Sequence, residues 1–131
     1  MIQKSFSLNQ KTNKKYFFLY GENEGLKEEL IYIHFKSKFN GDIYKNSEKE
    51  MFKNIEDFYN HIFLKSFFDN EKLIIITDVS DKIYKTISEI IERDPRDVKI
   101  ILVGGLFEKK SKLRKFFEKE KELVCVPCYK D

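Results

Sequence analysis

Four short runs of this chain are apolar at consecutive positions, with little or no polar alternation. They are "YFFLYG" (Tyr16 to Gly21), "EKLIIITD" (Glu71 to Asp78), "DVKIILVGG" (Asp97 to Gly105) and "ELVCVPCY" (Glu122 to Tyr129). A strand with one face in water alternates apolar and polar residues, so a run without alternation has both faces covered. "NGDIYK" adds a turn into a fifth, shorter strand from Asp42 to Lys45.

Amphipathic stretches lie between these runs. Leu26, Leu30, Ile33 and Phe39 recur at helical spacing, widened by Ile31 and Phe35, and predict a helix over Glu24 to Lys38 with acidic residues at its start. "SEKEMFKNIEDFYNHIF" puts Met51 or Phe52, Ile55, Phe58 or Tyr59, and Ile62 on one face, as a single second helix would. "SDKIYKTISEIIERDP" turns Ile83, Ile87, Ile90 and Ile91 inward, with Ser80 or Asp81 as N-cap, and stops before Pro95. "EKKSKLRKFFEKEK" is a basic helix with Leu113, Phe116 and Phe117 inward. Strands alternating with helices predict an α/β fold: a five-stranded parallel sheet flanked by helices. Residues 1–15 read as a polar arm and residues 16–131 as the domain, since 131 residues suit one domain.

Composition narrows the function classes. Charged residues make up 36% of the chain, which fits a globular surface, and a net charge of +3 does not by itself imply nucleic-acid binding. No segment has the roughly 18 apolar residues of a membrane span. The polar N-terminus lacks the apolar core of a secretory signal, and two cysteines make no disulfide framework, so a cytoplasmic protein is expected.

The loop after the first strand, "GENEGLKE", is where a phosphate-binding loop would stand. A P-loop has the pattern G-x-x-x-x-G-K-[ST]. Lys27 lies at the right offset from Gly21, but the second glycine, Gly25, comes one position early and Leu26 takes its place. Glu28 replaces the hydroxyl residue, and Glu22 and Glu24 put negative charge where phosphates would lie. The position of a P-loop is present without its chemistry, so no ATP binding and no cofactor are expected. Asp78 is a lone strand-end carboxylate, followed by Val79 rather than a second acid, and reads as a turn or cap residue. Cys125 and Cys128 form a lone C-x-x-C in and after a strand; a redox pair would precede a helix, and zinc would need two more ligands, with only His34 and His61 available. Ordinary packing is the simpler reading. Lys110, Lys112, Arg114 and Lys115 on the basic helix are candidate DNA contacts, set against the plainer reading of a solvated face in a lysine-rich chain.

Ser66-Phe67-Phe68 sets two large rings side by side in a connection between the second helix, ending near Phe63, and the strand starting near Lys72. Both rings could fold onto the core. The alternative is an apolar wedge bounded by polar residues, a common anchor for a partner's pocket.

Taken in order, "YFFLYGENEGLKEELI", "LKSFFDNEKLIIITD", "VKIILVGGLFEKKSKLRKFFEK" and "VPCYKD" resemble the N-terminal domain of the delta subunit of bacterial DNA polymerase III, the wrench of the clamp loader. The resemblance implies an AAA+-like, RecA-type P-loop NTPase fold that has lost ATP binding, with strand order 5-1-4-3-2. It implies a non-catalytic subunit whose partner is the beta sliding clamp, bound through a short motif ending in Leu-Phe. The matching positions are Ser66, Phe67 and Phe68, flanked by Leu64 and Lys65, with Phe67 in place of the leucine and Phe63 where a glutamine often opens the motif. In the full-length subunit the tau/gamma motor subunits and delta-prime are further partners, and DNA is met within the complex during replication. Delta subunits continue into lid and collar domains, so the chain is expected to be a fragment that binds the clamp without assembling a loader. The competing expectation is a small nucleotide-binding α/β protein using Gly21, Lys27 and Asp78.

Overall fold

The computed structural model describes residues 1–2, 13–64 and 70–130. Five strands form one sheet: β1 (Tyr16–Tyr20), β2 (Gly41–Ser47), β3 (Glu71–Thr77), β4 (Val98–Val103) and β5 (Leu123–Pro127). All neighbours run parallel, in the order β2-β3-β4-β1-β5. Read from the other edge this is 5-1-4-3-2, the order implied by the resemblance. β1 lies between β4 and β5, with Tyr16 opposite Ile100 on one side and Leu123 on the other.

The absence of polar alternation now has its cause. Successive side chains of a strand point to opposite faces. Tyr16, Phe18, Ile74, Ile76, Ile100 and Leu102 enter one core, while Phe17, Leu19, Leu73, Ile75, Ile101 and Val103 enter another. α1 (Glu24–Ile31) covers the second face through Leu30 and Ile31. The first face is covered by α2 (Glu48–Lys53), α3 (Ile55–Phe63), α4 (Tyr84–Arg93) and α5 (Lys112–Lys119). Right-handed crossovers require this split, because the chain moves one way across the sheet from β1 to β2 and the opposite way thereafter.

Local sequence sets most element ends. Asn23 caps α1 by accepting the Leu26 N–H at 3.1 Å, and Ser47 with Glu50 forms a capping box at α2. Asp94, in the left-handed region at φ 46°, ends α4 one residue before Pro95.

Four expectations need correction. The first helix is α-helical only to Ile31; Tyr32–Lys36 forms a π-helical turn, closed by the Ser37 N–H on the Tyr32 carbonyl at 2.8 Å. A π turn shifts the helical phase, which buries Phe35 and leaves Ile33 41% exposed. The single helix expected over the second amphipathic stretch is broken at Asn54, whose φ of −129° and ψ of 55° are not helical. Strand β2 runs longer than Asp42 to Lys45, because its backbone pairs with β3 from Gly41 to Ser47. Phe116 and Ile91 are half-buried at the core margin rather than inside it. Of the polar arm, Met1 and Ile2 lie beside β5, where the Cys125 N–H donates to the Met1 carbonyl at 2.9 Å.

Candidate functional site

β1 delivers the chain to Gly21 at the C-terminal edge of the sheet, where α/β folds bind ligands. Gly21 has φ 124°, and a Cβ there would stand 2.2 Å from the Cys128 carbonyl oxygen. Only glycine fits that close approach to the end of β5. Several of the loop's N–H groups are bonded within the protein. Gly21 N–H donates to the Gly105 carbonyl at 2.8 Å, Asn23 N–H to the Cys128 carbonyl at 3.0 Å, and Lys27 N–H to the Asn23 carbonyl at 3.1 Å. A phosphate cradle needs such donors free.

Lys27 is the decisive residue of this loop. It is 1% exposed, and its ammonium donates to the Gly21 carbonyl at 2.8 Å, the Gly104 carbonyl at 2.7 Å and the Glu24 carboxylate at 2.7 Å. The lysine that would hold phosphate in a P-loop instead ties the ends of β1 and β4 together. A triphosphate approaching it meets two carbonyl oxygens and a carboxylate, all repulsive to an anion.

Beside this tie is a cavity of about 340 Å³ lined by Glu24, Glu28, Lys45, Asp78 and Gly104, among others. Asp78 is exposed there, with φ 53° in the left-handed region that Asp tolerates. Gly25 is exposed in the first turn of α1, where a Cβ would meet only the Asn23 Oδ1, at 3.8 Å.

The second candidate lies after α3. Lys65, Ser66, Phe67 and Phe68 fall outside the described residues, but both ends of their connection are defined. Leu64 is 60% exposed. Its carbonyl accepts from the ammonium of Lys72, a buried lysine at the start of β3. Burial lowers the Lys72 pKa, against the opposing pull of Asp42. Phe63, at the motif-opening position, is packed under the Arg93 guanidinium, 3.7 Å above its ring, and stacks on Tyr59. It works as an aromatic anchor of α3, not as a polar contact. Lys72 was hidden in the sequence because nothing local marks a strand lysine as a clamp on a residue eight positions earlier.

On α5, Arg114 is tied into the fold: it donates to the Phe107 carbonyl at 2.7 Å and to Glu118 at 3.3 Å, and stands 5.0 Å over the Tyr20 ring. Lys110, expected on the basic helix, instead lies in the turn before α5, because Ser111 caps the helix after it; it faces Glu108 at 3.5 Å in solvent, while Lys112 and Lys115 are exposed. The helix start is held by two residues: Ser111, its N-cap, and Asp81, which accepts from the Ser111 hydroxyl at 2.6 Å and from the N–H groups of Lys112 and Leu113, each at 3.2 Å. Of the two residues expected to cap the third predicted helix, Ser80 caps only the 3-10 turn Asp81–Ile83 by accepting the Lys82 N–H, α4 itself has no side-chain cap, and Asp81 caps α5 instead. Glu48, buried at the start of α2, accepts from the Ser80 N–H and hydroxyl at 2.9 and 2.8 Å. These bonds span about 30 residues of sequence, and no local signal announces them.

Cys125 and Cys128 are free and buried. They belong to opposite cores, Cys125 with α5 and Cys128 with α1, so the sheet separates their thiols. Burial pushes Cys125 up to about 12 and Cys128 up to about 11. His61 stacks on Tyr44 with ring centroids 4.1 Å apart, and the His34 Nδ1 is buried without a partner. Among the described residues no three His, Cys, Asp or Glu side chains come together as metal ligands, and no helix is long and apolar enough to cross a membrane. No family model, curated protein or solved structure matches this chain.

Proposed function

We propose that this chain is a non-catalytic binding module of the delta-subunit kind, with an AAA+-like domain whose nucleotide position is closed. It holds the beta sliding clamp through the connection between α3 and β3. The observation that carries the reading is Lys27, buried and bonded to the chain's own carbonyl oxygens where a working P-loop would present it to phosphate. Two further features support it: the parallel order 5-1-4-3-2, and an exposed Leu64 leading into Ser66-Phe67-Phe68 from a point pinned by Lys72. In this reading Phe67 and Phe68 enter an apolar pocket of the clamp, with Leu64 and Lys65 at the rim. The rigid sheet behind them transmits strain to the ring interface, and ATP is hydrolysed by partner motor subunits.

The competing reading, a nucleotide-binding protein, has the cavity beside Asp78 in its favour. Calorimetry against the cognate clamp separates the two. The wild type should bind saturably, and a Phe67→Ala, Phe68→Ala variant that melts like the wild type should bind at least about 30-fold more weakly, as loss of an anchor worth about 2 kcal/mol implies. ATP with Mg²⁺ should leave the melting temperature unchanged. A wild type that ignores the clamp but is stabilised by ATP would overturn the proposal in favour of its competitor.

A further inference from the structure

The first turn of α4, with the short 3-10 turn before it, faces α5 across a groove of about 890 Å³. Lys82 and Lys85 stand on one wall; Lys112, Lys115 and Lys119, on one face of α5, stand on the other. Among the described residues none of these five ammonium groups makes an ion pair or a side-chain hydrogen bond. The groove's acids do not balance them. Its two acids, Asp81, which also draws on the charge of Lys112, and Glu120, offset two of the five and leave a net charge of +3. Lysines held together in such excess repel one another, and a chain of phosphates relieves that repulsion.

The floor says what kind of phosphate chain. Tyr84 and Phe116 line the groove stacked on each other, with centroids 5.4 Å apart and planes 18° apart. Both are half-buried. Phe116 in turn packs edge-on against the fully buried Phe117, so the platform is fixed to the core. Lysines beside a rigid aromatic platform bind single strands, whose base faces are free to stack; a duplex hides them. A purely acidic peptide such as polyglutamate would match the charge but would leave the rings unused.

We propose that this groove binds single-stranded nucleic acid, with the five lysines on successive phosphates and Tyr84 and Phe116 against a base. The inference stands on α4 and α5 alone and is independent of clamp binding.

Fluorescence anisotropy with a labelled 12-nucleotide oligothymidine tests it, with a duplex of equal length and a polyglutamate peptide as competitors. Five contacts to a single strand predict a loss of about 100-fold in affinity between 50 and 200 mM salt. Lys85→Gln with Lys115→Gln should flatten the slope of log affinity against log salt by about 1.4. Phe116→Leu should weaken binding about tenfold and leave the slope unchanged, with Tyr84→Leu as the second variant if Phe116→Leu fails to melt cooperatively. Lys49→Gln with Lys53→Gln, on α2, should change nothing. No binding at 50 mM salt would overturn the proposal. So would indifference to the Lys85 and Lys115 changes, or competition by the duplex or the peptide as strong as that by oligothymidine.

Discussion

Replacing Lys27 with methionine keeps the volume of the side chain and removes its charge and donors. In the native fold that ammonium satisfies two backbone carbonyls at the C-terminal edge of the sheet, Gly21 at 2.8 Å and Gly104 at 2.7 Å. Its third partner, Glu24, is 72% exposed and returns to water at little cost. Each bond to a charged donor contributes about 1.5–3 kcal/mol, so losing two removes roughly 3–6 kcal/mol. Relief from burying an ammonium offsets part of this, leaving a loss of about 3 kcal/mol. For a chain of this length about 1 kcal/mol moves the melting temperature by 3–4 °C, so Lys27→Met should melt roughly 10 °C below the wild type. Circular dichroism melts, run with and without ATP and Mg²⁺, give the answer. A lysine kept for phosphate binding behaves oppositely, since removing a buried charge held for function commonly stabilises the apo protein. A Lys27→Met variant as stable as the wild type, or more so, would refute the claim that this residue is a structural tie.

Gly21→Ala should cost about 3 kcal/mol or more, because the new Cβ would lie 2.2 Å from the Cys128 carbonyl oxygen at a φ that only glycine holds easily; chemical denaturation measures it. For Asp81, burial raises the pKa, but the Ser111 hydroxyl and the N–H groups of Leu113 and Lys112 outweigh it and hold the carboxyl below the usual range. Its stabilisation is therefore complete above the unfolded pKa of about 3.9 and fades as pH falls through the lower folded value. Asp81→Ala should cost about 1 kcal/mol at pH 7, with the difference from wild type shrinking in melts below about pH 3.9. Burial keeps both cysteines protonated, with pKa values of about 12 and 11, so neither should react with a thiol reagent at pH 8 until the protein is denatured.

Much of the fold was legible because burial leaves its mark at short range. Unbroken runs such as Leu73 to Ile76 declared strands covered on both sides, and Ile83, Ile87 and Ile90 declared a helix face. The mismatches at Gly25, Leu26 and Glu28 were visible in the loop after β1, whereas the burial of Lys27 against the Gly21 and Gly104 carbonyls was not. The break at Asn54 and the π turn after Ile31 escaped, since apolar spacing continues through both and only packing selects the phase. The capping box of Ser47 and Glu50, whose S-x-x-E signal stands in "SEKE" but went unused in favour of the apolar spacing, fixes the start of α2.

What the tertiary structure alone decided is partnership. Spacing shows that a residue is buried or capped; it does not show against what. Lys27 reaches a carbonyl 77 residues away, Asp81 caps a helix 30 residues on, and Lys72 clamps the exit of α3. Two lysine-bearing helix turns, unremarkable when read singly, become one groove only because β3, β4, β1 and β5 set α4 and α5 side by side. The physical reason is range. Hydrophobic periodicity acts within a turn or a pleat, and it determined the elements; hydrogen bonds and charge clusters across the sheet's edge depend on strand order, which three-dimensional packing fixes.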